Sequence, residues 1–294
     1  MDMRQIRLKA MAKVNLSLDV LRRREDGYHE VRMIMQSVNL YDKLFIAESE
    51  EPGIRLTTNR SFLPTGPDNL VYKAADMLMT EFGIRSGLDI HLDKFIPVAA
   101  GMAGGSTDAA STLIGINRIF DLGLSCQDLM DRGVKLGADI PYCILGGTAL
   151  SEGIGEVLTP LPDAPKGYIL IAKPAVSVST KYVYSNLHLD QVTSHPDIDG
   201  QIDAIRRQDF WDMADLCGNV LETVTISAYP EIQKIKDFML KTGASGSLMS
   251  GSGPTVFGLF SNHRLAEAAC EALKASQLAK MVYLTTFIGK NPNI

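Results

Sequence analysis

Pro97-Val-Ala-Ala-Gly-Met-Ala-Gly-Gly-Ser-Thr-Asp-Ala-Ala110 is the stretch on which the organisation of the chain turns. Upstream of it, Leu88, Ile90 and Leu92 alternate with polar residues, the two-residue period of a half-buried strand. Downstream, Ala109, Ala110, Leu113, Ile114 or Ile116, and Phe120 recur at helical spacing. The stretch is therefore a strand-to-helix turn made of small residues. Such a turn brings several backbone N–H groups, and the positive end of the helix dipole, against one anion. Gly101, Gly104 and Gly105 permit close approach, and Ser106 and Thr107 stand where a helix N-cap is expected, with hydroxyls suited to a phosphate or a bound Mg²⁺. Small residues also serve close packing, and the segment alone does not choose between the two uses. It is not GxxxxGK[ST], not GxGxxG, and not part of a protein-kinase signature set.

On the amino-terminal side, every even position from Ile6 to Val20 is apolar while nearly every odd one is polar, which predicts a strand with Lys13 and Asn15 together on the face opposite the core. Asp26-Gly27 marks a turn, and strand-like runs follow around Val31–Leu40, Leu44–Ala47 and Ile54–Thr58. Asp68 is the expected N-cap of a helix running to about Phe82, with Gly83 as its stop. On the other side, Pro160, Pro162 and Pro165 precede a change of pattern, so two domains are expected, over residues 1–160 and 161–294. The second reads as a strand at Tyr168–Ala172, a polar loop, several helices including Pro230–Lys241, a second glycine-rich loop, a strand at Thr255–Phe260, a helix near Leu265–Lys274 and a strand at Val282–Ile288. That order fits α+β domains, the second ferredoxin-like.

The 294 residues, 46% hydrophobic and 21% charged, suffice for two cores. With 29 basic against 34 acidic residues the net charge is −5, so nothing argues for non-specific attraction to nucleic acid or to an anionic membrane, and a polyanionic ligand must be held by local features. Cys126, Cys143, Cys217 and Cys270 are scattered with no CxxC pair, the pattern of free thiols in a reducing cytosol. No apolar run is long enough to cross a bilayer, the start of the chain has no signal-peptide layout, and a cytoplasmic protein is expected. His29-Glu30 is not a metalloprotease motif, because Met33 stands where a second His belongs.

The glycine-rich stretch resembles the second motif of the GHMP kinases, with Met102 in place of a usual Leu and Ala103 in place of a frequent Gly. Two further motifs resemble the same family in the same order: Ala12-Lys-Val-Asn-Leu16, followed by Arg24-Glu-Asp-Gly-Tyr-His-Glu30, and Gly243-Ala-Ser-Gly-Ser-Leu-Met-Ser-Gly-Ser-Gly-Pro254. Between them Gly137-Ala-Asp-Ile-Pro-Tyr142 resembles the segment that carries the family's catalytic Asp. The resemblance implies an α+β, two-domain GHMP kinase architecture, with an N-terminal ribosomal protein S5 domain 2-like domain and a C-terminal ferredoxin-like one. It implies ATP with Mg²⁺ as phosphoryl donor, and Pro97, Val98, Ala99, Ala100, Gly101, Met102, Ala103, Gly104, Gly105, Ser106 and Thr107 as the phosphate loop, Ser106 also being the candidate Mg²⁺ ligand.

Lys13 and Asp139 are implied as the catalytic pair, Asp139 receiving or orienting the hydroxyl proton and Lys13 holding it ionised while stabilising the moving phosphoryl group. The Asp26-Gly-Tyr-His29 segment resembles the branch whose acceptor is a small cytidine-diphosphate-linked alcohol. There Tyr28 stacks on the cytosine, His29 bonds its edge, and Asn15, Thr180 and Tyr184 complete the pocket, Tyr184 being favoured over Tyr182. Other GHMP kinases, of homoserine or mevalonate type, have no evident use for that segment. A non-catalytic nucleotide-binding module on this fold is expected to have lost Lys13 or Asp139. Arg22, Arg23 and Arg24 either meet the acceptor's diphosphate or form a solvated turn, the latter expected for at least two of them. A monomer or weak homodimer is expected.

Overall fold

The computed structural model describes residues 4–294. The N-terminal run comprises β1 (Gln5–Arg23), β2 (His29–Ser49), β3 (Ile54–Thr58), α1 (Leu70–Glu81), β4 (Gly87–Asp93), α2 (Gly104–Ile119), α3 (Cys126–Gly133), α4 (Ile140–Leu145), β5 (Thr148–Glu152) and β6 (Val157–Pro160). The remainder comprises β7 (Tyr168–Lys173), α5 (Thr180–Ser185), α6 (Ile198–Arg206), α7 (Phe210–Asp215), β8 (Gly218–Asn219), α8 (Glu222–Ala228), α9 (Glu231–Lys241), β9 (Gly246–Met249), β10 (Val256–Phe260), α10 (His263–Ser276) and β11 (Met281–Thr286). The first two strand-like runs after Asp26 are one continuous strand, β2, whose pairing with β1 breaks register after Ser37 and resumes at Tyr41 and Asp42. Helix α1 is capped one residue later than expected, by the Asn69 side chain accepting from the Val71 amide.

The first sheet runs β3-β4-β2-β1-β8, with β5 also on β2 and β6 on β5. Its last strand comes from the far half of the chain: β8 lies parallel to β1, Ser17 opposite Gly218. The second sheet has the order β11-β7-β10-β9, every pair antiparallel. Numbered within that sheet this is 4-1-3-2 in a β-α-β-β-α-β run, the ferredoxin-like arrangement. The chain is thus a two-domain α+β fold, cross-tied by β8 and by Phe287, which bridges to Val38.

The even-numbered side chains of β1 do not share one core. Leu8, Leu18 and Val20 belong to the core under α1 to α4, whereas Ala12, Val14 and Leu16 belong to a second core with Ile169, Ile171 and Phe257. The switch coincides with register breaks between Met11 and Lys13 and between Asn15 and Ser17. A bulge inverts which face a two-residue alternation presents. In the middle of β1 the odd residues Lys13 and Asn15 therefore face the first core, and the Asn15 Nδ2 group reaches Met33 Sδ at 3.1 Å.

Beneath the turn into α2 lies a buried ionic cluster. The Lys94 ammonium donates to Asp42 and, at 2.6 Å, to Asp108, while the other Asp42 oxygen accepts from the Phe95 and Ile96 amides. Burial alone lowers the Lys94 pKa, but the two carboxylates outweigh it and raise it; burial pushes the Asp108 carboxyl well above the ordinary carboxylate range. The neighbouring Asp42 charge adds to that rise, since two carboxylates share one ammonium, and one Asp108 oxygen has no partner. Lys94→Met, which strands both carboxylates, is expected to cost about 3–5 kcal/mol of stability. Urea unfolding checks this, and a loss near zero would show that the cluster is not what anchors the turn.

Candidate active site

The bulged centre of β1 runs beneath both glycine-rich loops. The Lys13 amide donates to the Met102 carbonyl at 3.2 Å. The Asn15 amide donates to the Ser250 hydroxyl at 3.3 Å, and that hydroxyl donates to the Gly101 carbonyl at 2.9 Å. Gly101 has φ +69°, and a Cβ there would sit far inside van der Waals contact with the Ser250 carbonyl oxygen, so no other residue fits. Asn219 on β8 donates to the carbonyls of Met249 and Gly251, 2.8 Å each, and so holds the second loop against the first sheet.

In the first loop alternate residues have left-handed backbones: Ala99 at φ 51°, Gly101 at 69° and Ala103 at 54°. Alternation of handedness is how successive N–H groups converge on one anion. Two alanines in this conformation cost about 1–2 kcal/mol each, strain of the kind kept at functional turns. Ala103, not Ser106 or Thr107, occupies the cap position of α2, and no side chain caps the helix. The expectation of a hydroxyl cap is corrected: both hydroxyl residues lie in the first turn. An uncapped first turn leaves its amides for a ligand. Every residue from Pro97 to Ser106 lines the cleft except Met102, which is buried in the second core; Thr107 is also buried and does not line the cleft.

The cleft has a volume of about 1050 Å³ and holds both predicted catalytic side chains. Lys13 is 5% exposed, which corrects the expectation of a face opposite the core; its ammonium donates to Asn15 Oδ1 at 2.8 Å and lies 3.9 Å from Asp139 Oδ2. Asp139 occupies the cap position of α4, with Pro141 in the first turn, but its side chain makes no capping bond. The carboxylate is left to the cleft, where it is a third exposed (36%).

At the other end, His29 and Tyr184 face each other with ring centroids 5.1 Å apart and planes tilted by 37°. Tyr28 beside them is 60% exposed. Thr180 on α5 shares a hydrogen bond of 2.9 Å with Ser252, which couples this end to the second loop. Tyr182 lies instead on a separate groove with Thr223 and Ser227. Burial, then the nearby Arg23 charge, holds the His29 imidazole below its ordinary 6.5, so the ring is neutral at neutral pH. Burial raises the Tyr184 phenol and keeps it protonated. Leu63, Pro64 and Asn69, before and at the cap of α1, also line the cleft. No motif marks them; the Asp68-Asn69 cap signal is the sole local hint. Among the described residues, no group of three or more His, Cys, Asp or Glu is placed to hold a metal.

The pattern of the GHMP kinases N terminal domain matches residues 69–147, and that of the GHMP kinases C terminal domain matches residues 201–279. A 4-diphosphocytidyl-2-C-methyl-D-erythritol kinase of Lachnoclostridium phytofermentans is 57% identical over 96% of this chain and 97% of its own length. The chain belongs to the GHMP kinases. The kinase of the same name from Geobacillus kaustophilus is 45% identical over 99% of both chains. Among solved structures, a 4-(cytidine 5'-diphospho)-2C-methyl-D-erythritol kinase superposes with TM-score 0.81 at 32% identity, covering 97% of this chain and 100% of that one. A homoserine kinase of Cytophaga hutchinsonii, 20% identical with TM-score 0.79 over 98% and 96%, shares the fold. The N-terminal GHMP match contains the first loop and Asp139, the C-terminal one contains Ser250, and Lys13 and Asn15 lie outside both.

Gly101→Ala is expected to lower Tm by several degrees and to weaken nucleotide binding, since it combines a disfavoured backbone with a clash. Gly105→Ala is the control: its Cβ would meet only Leu70, at 3.6 Å, and Tm should hold or rise slightly. Equal effects in the two variants would mean that the Gly101–Ser250 approach is not the constraint.

Proposed function

We propose that this chain transfers the γ-phosphoryl group of ATP to the 2-hydroxyl of 4-diphosphocytidyl-2-C-methyl-D-erythritol, in the methylerythritol phosphate route to isoprenoid precursors. The observation that carries the reading is the sequence of groups along one cleft: an anion-cradling loop, then Lys13 beside Asp139, then the His29–Tyr184 pair. A nucleotide phosphate, a reacting hydroxyl and an aromatic base are the three chemical features such a row accepts. The near-full-length relatives named above act, by name, on that acceptor.

Phosphoryl transfer asks for in-line placement and for positive charge where negative charge gathers. The loop amides and the first turn of α2 hold the donor phosphates. Lys13, buried and only loosely engaged by Asp139, offers its ammonium to the moving phosphoryl group. Asp139 orients the acceptor hydroxyl and takes its proton, and Asn15, held by Lys13, bonds the acceptor beside it. Tyr28 and Tyr184 sandwich the cytosine, neutral His29 bonds its edge, and Thr180, braced by Ser252, makes a further polar contact. Leu63, Pro64 and Leu70 give the adenine an apolar wall. The Ser106 hydroxyl, on the cleft side of the first turn, is the protein ligand suited to Mg²⁺. Magnesium, when bound with ATP, neutralises charge on the bridging phosphates, and it characteristically takes few protein ligands, in keeping with the absence of an acidic cage among the described residues. The same reading takes residue 160 as the domain boundary and the cytoplasm as the site of action. Among the described residues no helix is long and apolar enough to cross a membrane.

An ATP-dependent assay against 4-diphosphocytidyl-2-C-methyl-D-erythritol, homoserine, mevalonate and galactose is expected to give turnover with the first alone. Asp139→Asn should lower kcat by about 10²–10⁴-fold and Lys13→Met by about 10²–10³-fold. Turnover of another acceptor, or full activity of Asp139→Asn, would overturn the assignment.

Because the His29 pKa is depressed, more acid than usual is needed to charge the ring. Acceptor KM is therefore expected to stay flat from about pH 8 down through about 6.5 and to rise only below it, a rise absent in His29→Phe. A KM that already climbs above about pH 7 would show that His29 is not the neutral partner.

A further inference from the structure

Three consecutive arginines follow the first strand's core, and the β1–β2 register separates them. Arg22 stands opposite Glu30 in the ladder and pairs with it, Nε to Oε2, at 2.5 Å. Arg24 folds onto Asp26 within the turn at 3.0 Å. Arg23 stands opposite His29. Residues directly opposite in an antiparallel ladder present their side chains to the same face. The Arg23 side chain therefore leaves the strand on the side of the His29–Tyr184 pair, and it lines the cleft. Its charge is felt at the His29 ring. Among the described residues no carboxylate lies within salt-bridge distance of it, so its guanidinium is uncommitted.

A second uncommitted cation comes from the other domain. Lys181 lines the same cleft from α5, three residues before Tyr184, hence on the same side of that helix turn. It too has no carboxylate partner among the described residues. Each cation is thus rooted next to one ring of the His29–Tyr184 pair, Arg23 opposite His29 in the ladder and Lys181 three residues before Tyr184 on α5.

We propose that Arg23, with Lys181 in the same cleft, binds the diphosphate of the acceptor and so sets the preference for a cytidine diphosphate compound over an uncharged cytidine compound. The inference rests on the acceptor reading above, in which cytosine lies at the His29–Tyr184 pair. A nucleoside's 5'-phosphates leave the base and ribose within a few ångströms, where a flexible cation rooted beside the base contact reaches them. A guanidinium takes two phosphate oxygens at once, and an ammonium acts as a point charge. Of the buried cations of the cleft, Lys94 is paired with Asp42 and Asp108, and Lys13 is held by Asn15 beside Asp139, where the reading above gives it the moving phosphoryl group. Unlike the aromatic pair, Arg23 and Lys181 reward only the charged part of the acceptor.

The test is calorimetric titration of cytidine and of CDP into the full chain, with the nucleotide loop saturated by a non-hydrolysable ATP analogue. Wild type is expected to bind CDP about 10–100-fold more tightly than cytidine, the worth of one or two charge-assisted hydrogen bonds. In Arg23→Gln that ratio should fall at least severalfold with cytidine affinity unchanged, Lys181→Gln should lower it less, and Arg23→Lys should restore part of it. Added salt should erode the ratio in wild type, less in Arg23→Gln, and not in the variant that carries both Arg23→Gln and Lys181→Gln. An unaltered CDP-to-cytidine ratio in Arg23→Gln would overturn the proposal while leaving the cytidine reading intact. Failure of wild type to bind cytidine or CDP at all would instead overturn the acceptor reading on which it rests.

Discussion

The run of hydrogen bonds from the Asn15 amide through the Ser250 hydroxyl to the Gly101 carbonyl joins three segments separated by most of the chain's length. It works because Gly101 has no side chain, so the two loops meet backbone to backbone. The approach puts the bulged strand, the anion-cradling turn and the second loop in one place, and Asn219 holds the arrangement from behind. With the loops apart, the Lys13 ammonium would have neither a cleft to face nor protein to exclude water from it.

Two buried lysines show how the same group is put to different uses. Lys94 sits within hydrogen-bond distance of two carboxylates and is spent on holding the turn before α2. Lys13 is as buried, yet its near partner is the neutral Asn15 amide and its carboxylate is 3.9 Å away. Full pairing offsets the desolvation of a charge and ends its availability; partial pairing leaves a cation whose field is unspent in a low-dielectric site. That is the state a group needs if it is to meet negative charge that appears only during transfer.

The far end of the cleft is built by elements from both domains. His29 begins β2, while Tyr184 and Thr180 sit on α5, and Thr180 touches Ser252 of the second loop. The Ser250–Ser252 segment thus touches both ends of the cleft, the first loop through the Gly101 carbonyl and α5 through Thr180.

Local chemistry was enough to determine a good deal. The glycine-rich stretch could only be a strand-to-helix turn, β4, α1, α9 and α10 followed from periodicity within a few residues, and the resemblance to the GHMP kinases, beyond what local chemistry says, implied Lys13, Asp139, His29 and Tyr184, which the fold brings into one cleft. What local chemistry left open was everything set by contacts distant in sequence. The alternation of β1 runs unbroken through Ala12, Val14 and Leu16, so nothing in it announces that bulges turn those residues to a second core and bring Lys13 and Asn15 inside. Ser106 and Thr107 looked like caps because capping residues are recognised by type, whereas the helix start was decided by the left-handed turn at Ala103. Three adjacent arginines are alike as letters, and only the ladder, by opposing Arg22 to Glu30 and Arg23 to His29, gives them different faces. Residue type and period are written into the chain itself; which face is buried, and which charge is left unpaired, is a property of the partner strand, and the partner is chosen only when the chain folds.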